Sequence, residues 1–206
     1  MRDSSINRRR LLAAAAALGA GSTLTHAAWA QPARPRVRLQ TEMGVIVLEL
    51  AADVAPVTVA NYLRYVDARR YDGTAFFRAS QAPGAPTVGF IQAGIKDAKK
   101  LFGPIAHEST TQTGLKHLDG TISMARLEPG TARSDFTICC GPAPQMDANP
   151  AAPGDNAGYA AFGQVVEGME VVRAILAAPR GSAAPTLVMA GQILNPPVKI
   201  ASARRA

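Results

Sequence analysis

The chain has 206 residues, 48% of them hydrophobic and 5% aromatic, and a formal net charge of +7. That length is enough for one ordinary domain with a sizeable core. Its cations fall in short pairs, Arg69-Arg70, Lys99-Lys100 and Arg204-Arg205, with no long basic stripe or aromatic ladder, which argues against a nucleic-acid partner.

At the N-terminus, Asn7-Arg8-Arg9-Arg10-Leu11-Leu12 precedes an Ala/Gly-rich apolar run, and Ala28-Trp29-Ala30 precedes Gln31. A charged region, an apolar region and a small-x-small site in that order predict a signal peptide cleaved near Ala30. The run from Leu11 to Leu24 is shorter than the roughly 20 apolar residues that span a bilayer, so no membrane anchor is expected. Consecutive arginines before two leucines resemble a twin-arginine signal, which exports an already folded protein, although the general secretory route also accepts basic n-regions. The expected location is the periplasm. Residues 1–30 hold four arginines and one aspartate, so residues 31–206, read as a single domain, carry a formal charge of +4.

Val37 to Leu50 reads as a hairpin: Val37-Arg38-Leu39-Gln40 alternates, Gly44 to Leu50 is rich in Val, Ile and Leu, and Glu42-Met43-Gly44 is a turn. Pro56 suits a first helical turn, and Val59, Tyr62, Leu63 and Val66 recur at helical spacing, predicting an amphipathic helix up to Arg70 with basic residues in its last turn. Tyr71-Asp72-Gly73 ends it. From Thr74 to Gly163, short apolar runs alternate with Gly, Pro, Asp and Asn, as in Gly120 to Ala125, Phe136 to Cys140 and Tyr159 to Val165, which suggests a barrel or sandwich. Ser80 to Val88 and Gly141 to Gly158 read as long loops. A second helix fits Glu170 to Ala177, and Gln192 to Leu194 and Val198 to Ile200 read as strands before a tail that frays from Ser202.

Cys139 and Cys140 are adjacent, so in a strand they point to opposite faces and act as free thiols or small apolar groups, not as a redox pair. His107 and His117 lack Cys/His ligand spacing, and no metal site is expected. No P-loop, dinucleotide fingerprint or Gly-x-Ser-x-Gly elbow is found either.

Four segments in order resemble the cyclophilin-type peptidyl-prolyl cis/trans isomerases. Ala55-Pro56-Val57-Thr58-Val59-Ala60-Asn61-Tyr62 is similar to the family's Ala-Pro-x-Thr-x-x-Asn-Phe, and Tyr71-Asp72-Gly73-Thr74-Ala75-Phe76-Phe77-Arg78 to its Tyr-Asp-Gly-Thr-x-Phe-His-Arg. Gly120 to Ala125 and Tyr159 to Met169 are similar to two further blocks, so the resemblance runs from Val37 to about Ile200. It implies a mainly all-β fold: a closed eight-stranded antiparallel barrel capped by two α-helices, with its interior filled by side chains and the substrate in an outer groove. It also implies an isomerase of X-Pro bonds in exported proteins, with proline-containing polypeptides as partners and no cofactor, and we expect a monomer.

By the same resemblance Arg78 is the catalytic residue. Phe76, Phe90, Gln92, Ala125, Arg126, Asp135, Thr137, Met146 and Tyr159 line the substrate site, with Gln92 orienting Arg78 and the main chain of Ala125 and Arg126 holding the substrate backbone. The family's Phe-Met-Ile-Gln is met either by Gly89-Phe90-Ile91-Gln92 without a gap or by Phe90-Ile91-Gln92 with one residue deleted; the second keeps the pocket phenylalanine and the Gly-Phe pair and is the one expected. A deletion slips the strand by one residue and reverses its faces, so a bulge or the Ser80 to Val88 loop has to absorb it. The family's Ser-Gln-Phe-Phe reads Ser134-Asp135-Phe136-Thr137, which predicts a shallower pocket and a carboxylate able to pair with Arg78. These two substitutions motivate an alternative, a cyclophilin-like peptide-binding module or chaperone with weak or no isomerase activity. A structural barrel without a groove has no positive support.

Overall fold

The computed structural model describes residues 34–182 and 186–206; the expected signal peptide, residues 1–30, lies outside them. The predicted hairpin forms from β1 (Arg36–Thr41) and β2 (Gly44–Leu50), paired from Arg36↔Glu49 to Thr41↔Gly44. Val37, Leu39 and Thr41 alternate inward. The Thr41 hydroxyl donates to the Gly44 carbonyl and accepts the Met43 N–H, which fastens the turn. Gly44 has φ +136 and Val171 2.7 Å from where a Cβ would stand, so the turn has no room for a side chain.

Helix α1 (Pro56–Asp67) begins on its proline and buries Val59, Tyr62, Leu63 and Val66. Its first N–H groups are capped from a distant part of the chain. The Glu108 carboxylate accepts from the Val57 N–H at 3.1 Å, the Thr58 N–H at 2.8 Å and the Thr58 hydroxyl at 2.6 Å. The helix stops before the expected Arg70 because Arg69 takes φ +54, which a right-handed helix cannot include. Arg69 and Arg70 therefore lie beyond it, and Arg64 is the basic residue of the last turn.

Ser80 to Val88, expected to be a long loop, is a hairpin instead. Strands β3 (Ala75–Ala82) and β4 (Ala85–Gly94) meet at Pro83-Gly84, where Gly84 has φ +72. The Pro and Gly content reflects that turn and an irregular strand end, since the register jumps between Gln81 and Ala82. Strands β5 (Thr121–Met124), β6 (Phe136–Cys140) and β7 (Ala160–Glu167) fall close to the expected segments, with the one-turn helix α2 (Thr110–Thr113) before them and α3 (Met169–Ala177) after them.

The C-terminal segment is one strand, β8 (Ile193–Arg205), and it does not fray. Asn195-Pro196-Pro197 separates the two runs read from the sequence. Pairing with β3 jumps there from Phe76↔Val198 to Arg78↔Ile193, because proline has no N–H to donate. Beyond it, β8 pairs with β1 as far as Val37↔Arg205.

The strands close in the order β1-β2-β7-β5-β6-β4-β3-β8. Every pairing is antiparallel. Helix α1 follows the Leu50 end of β2, whereas Val171 of α3 meets Gly44 at the other end, so the two helices cover opposite mouths of the barrel. Inside, Tyr62, Tyr71, Phe76 and Phe136 pack ring against ring at centroid separations of 5.2 to 5.9 Å. Cys140 joins this core while Cys139 faces a small outer cluster with Ala143 and Met146, and both thiols are free. No helix among the described residues is long and apolar enough to cross a membrane.

Candidate active site

The outer face of the barrel carries a cavity of about 620 Å³, built on a row of paired residues. Arg78 of β3 stands opposite Gln92 of β4, Gln92 opposite Thr137 of β6, and Thr137 opposite Ser123 of β5. A bulge makes this possible. Phe76 pairs with Ala93 and Arg78 with the very next residue, Gln92, so Phe77 is the extra residue and Arg78 turns outward although Phe76, two positions earlier, points inward. This corrects the expected place of Phe76: it is fully buried in the core against Phe136 and does not line the cavity. The other nine expected residues do line it.

The pairing of β4 with β6 runs unbroken from Gly89↔Cys140 to Ala93↔Phe136, and the register shifts of β4 lie on its β3 side, at Phe76/Arg78 and Gln81/Ala82. Phe90 and Gln92 therefore share the outer face by simple alternation. Phe90, which the chosen alignment keeps as the pocket phenylalanine, lines the cavity beside Gln92.

Arg78 is held by neutral groups. Its Nη1 donates to Gln92 Oε1 at 3.1 Å, its Nε donates to Gln192 Oε1 at 2.8 Å, and its guanidinium carbon lies 5.0 Å from the centre of the Phe90 ring. Burial pulls its pKa below the ordinary arginine value, yet a guanidinium remains a cation in a protein. The expected pairing of Asp135 with Arg78 is not made; no ion pair among the described residues uses Arg78. Asp135 instead accepts from Gln92 Nε2 at 3.4 Å and from the Ser134 hydroxyl at 3.2 Å, so the glutamine amide stands between cation and carboxylate. Burial raises the Asp135 pKa, against the pull of its hydrogen bonds and of Lys96.

The opposite wall is apolar. Phe90 and Tyr159 pack on Met146, which a 3-10 turn (Pro144–Met146) presents, and the Tyr159 N–H donates to the Met146 carbonyl. Thr137 is buried and its hydroxyl donates to the Ser123 carbonyl, so the aromatic surface comes from Phe90 and Tyr159. The Arg126 side chain is a brace and leaves its charge engaged: it donates to the Gly158 carbonyl and both Asp155 oxygens, with its head 5.2 Å from the Tyr159 ring centre. The Ala125 N–H also has an internal partner, the Asp135 carbonyl.

The Gly141 to Gly158 segment is an irregular loop, and it is anchored. Asp147 Oδ1 accepts from the His117 N–H at 3.0 Å and lies 2.7 Å from His117 Nδ1, while His117 Nε2 lies 2.8 Å from the Ser123 hydroxyl. A carboxylate only accepts, so Nδ1 carries the proton and Nε2 accepts from Ser123. The imidazole is fully buried, and burial lowers its pKa despite Asp147. No group of three His, Cys, Asp or Glu side chains among the described residues is placed to hold a metal ion.

Gln192 and Met189 belong to this site and no sequence signal pointed to them. Gln192 lies 114 residues from Arg78 in a stretch that reads only as strand.

Comparison with known proteins gives a consistent picture. The family described as "Cyclophilin type peptidyl-prolyl cis-trans isomerase/CLD" matches residues 36–204. The chain is 37% identical over 147 residues to peptidyl-prolyl cis-trans isomerase cyp18 of Streptomyces antibioticus, covering 71% of this chain and 86% of that one. It is 33% identical over 171 residues to a peptidyl-prolyl cis-trans isomerase of Acinetobacter baylyi, covering 82% and 85%. In structure it resembles a cyclophilin-type peptidyl-prolyl cis-trans isomerase of Cryptosporidium parvum with a TM-score of 0.64 at 21% identity, over 84% of this chain and 98% of that one.

Proposed function

Because the chain belongs to the cyclophilin-type peptidyl-prolyl cis-trans isomerase family, we propose that it turns X-Pro bonds in the groove beside Arg78, with that guanidinium as the catalytic group. The chain is a peptidyl-prolyl cis-trans isomerase, and the chemistry needs no cofactor. An X-Pro bond rotates against a barrier of roughly 18 to 20 kcal/mol that comes from amide conjugation. At the twisted transition state conjugation is lost and the prolyl nitrogen gains a lone pair. A fixed donor to that nitrogen favours the twisted state over both planar ones, and only such differential binding accelerates the step.

One observation carries this assignment. Arg78 is fixed by two neutral amide oxygens and has no carboxylate partner among the described residues, so its charge is not neutralised where the cavity meets it. The Phe90, Met146 and Tyr159 wall suits a proline ring, which is apolar and has no N–H to satisfy. Proline-containing polypeptides are therefore the proposed partners.

The test is the cis/trans relaxation rate of a short X-Pro peptide with the full chain and with Arg78→Ala and Arg78→Lys. We expect the wild-type acceleration to fall at least about a hundredfold in the alanine variant, as for loss of a transition-state donor. Lysine should recover little of it, because a single ammonium cannot keep both glutamine bonds and still reach the nitrogen. Unchanged catalysis in Arg78→Ala would move the chemistry to another group. Peptide binding by the wild type without acceleration would favour the binding-module alternative, to which Asp135 and Thr137 point.

We propose further that the protein works on exported chains in the periplasm, after cleavage near Ala30. The support is the order of Arg8-Arg9-Arg10, the apolar run and Ala28-Trp29-Ala30. Cell fractionation followed by N-terminal sequencing should return a chain beginning at Gln31. Replacing Arg8 and Arg9 by lysine should block export if the twin-arginine route is used. Recovery of intact Met1 protein from the cytoplasm alone would reject the proposed address.

A further inference from the structure

Gln192 is tied to β3 twice. Its side-chain Oε1 accepts from Arg78 Nε at 2.8 Å, and its main-chain carbonyl accepts the Ala79 N–H at 2.8 Å. The same glutamine is locked within its own turn, since its Nε2 donates to the Val188 carbonyl at 2.9 Å and its N–H donates to the Met189 carbonyl at 3.0 Å. With Gln92 on Nη1 and Gln192 on Nε, the plane and rotation of the guanidinium are both fixed, and Nη2 has no acceptor among the described residues. Gln92 alone would leave the long side chain free to swing about one bond.

The turn that delivers Gln192 also presents bare apolar surface. Leu187 is 95% exposed and Val188 77% exposed, and Met189 reaches into the cavity that holds Arg78. From Gly181 to Val198 the sequence has no charged residue. Consecutive exposed aliphatic side chains next in sequence to Met189, which lines the cavity, offer a contact surface continuous with the groove, and the occupant that continuity favours is the polypeptide proposed to bind beside Arg78.

We propose that the turn from Thr186 to Gln192 is a working wall of the groove: Gln192 is the positioning residue for Arg78, and Leu187, Val188 and Met189 form a subsite for a large apolar side chain flanking the X-Pro bond. The inference rests on the isomerase reading of the same cavity. It selects uncharged, aliphatic or aromatic flanking residues, the kind exposed in unfolded chains and hidden in folded ones.

The test uses the full chain and two X-Pro peptides that differ only in a flanking residue, leucine or serine, with that position placed on either side of the bond. Gln192→Ala should lower kcat about tenfold with KM within about twofold, the signature of an interaction realised in the transition state. Gln192→Glu keeps an acceptor for Nε but sets a carboxylate on the guanidinium and loses the donor to Val188, so it should hold KM while kcat stays below the wild-type value. The double variant Leu187→Ser, Val188→Ser, which keeps Met189 in the cavity, should raise KM for the leucine peptide about fivefold and that for the serine peptide much less. Wild-type kcat in a folded Gln192→Ala, or an equal KM change for both peptides, overturns the proposal. Should Gln192→Ala fail to fold, Gln192→Glu decides through the Arg78 Nε–H resonance in NMR: the bond predicts a shift on the change of acceptor, and an unmoved resonance overturns the positioning role. That readout does not depend on turnover, so a wild-type chain that accelerates neither peptide would reject the isomerase reading separately.

Discussion

Tyr62 is fully buried among Tyr71, Phe136 and Phe162, and its hydroxyl is the one buried side-chain polar atom among the described residues with no hydrogen-bond partner. Desolvation alone pushes its pKa far up, so it stays protonated and still lacks an acceptor. Leaving such a group unpaired costs about 1 to 3 kcal/mol, whereas its ring contacts do not need the oxygen. We therefore expect Tyr62→Phe to raise stability by roughly 1 kcal/mol, read as a higher urea midpoint at unchanged m; a lower midpoint would mean that the hydroxyl has a partner. At this scale the sequence was informative where a side chain's role follows from its motif, as for Arg78 and Gln92. It misled at Phe76, because one bulge residue, Phe77, decides which of Phe76 and Arg78 faces out, and strand alternation alone would put both on the same face. It was silent at Gln192, whose role depends on closure of the barrel across more than half of the chain.

Among elements, the segment from Gly141 to Gly158 shows how a loop without regular structure can hold a wall of the site. Asp147, His117 and Ser123 form a buried chain from that loop to β5, next to Met146. His117 is neutral in this chain because burial outweighs Asp147, so its folded pKa lies below the ordinary value. An unfolded histidine takes up a proton at about 6.5, while the folded one does so only at lower pH. The stabilisation is therefore complete above about 6.5 and is lost as pH falls below it towards the folded value. Urea midpoints measured between about pH 7.5 and pH 5 should decline, and His117→Asn should start lower and flatten that decline. A variant with the wild-type slope would assign the loss to other groups. Composition could reveal this segment as a loop but not its anchoring, since the bonds join residues 30 apart. The same compositional rule failed at Ser80 to Val88, where Pro83-Gly84 makes the tight turn of a hairpin: Pro and Gly mark a change of direction, and they do not say how long the change takes.

For the whole molecule, the decisive event is closure. β1 and β2 can pair locally, but β1 has its second neighbour only in β8, at the far end of the chain. Leu39 pairs with Ala203 and Val37 with Arg205, and Val37, Leu39 and Ala203 are all fully buried, so the last turn of β8 covers core residues of β1. Two ion pairs sit over this seam, Arg205 with Asp67, which is well exposed to solvent, and Arg204 with Asp72, which is partly exposed. Exposed pairs contribute little, while an uncovered strand edge loses its backbone partners and its apolar cover together. Truncation after Ser202 should therefore lower Tm far more, by roughly 10 °C for a loss of several kcal/mol in a domain of this size. Arg204→Ala and Arg205→Ala should leave Tm nearly where it is. If the two substitutions together matched the truncation, the seam would be held by charge and not by pairing. From the sequence the tail is expected to fray from Ser202 as chain ends do, and Ser202-Ala203-Arg204-Arg205-Ala206 holds no large apolar side chain that would argue otherwise. A closing strand does not need large side chains of its own: it supplies N–H and C=O groups to an edge whose apolar residues are already in place, which no local pattern can announce.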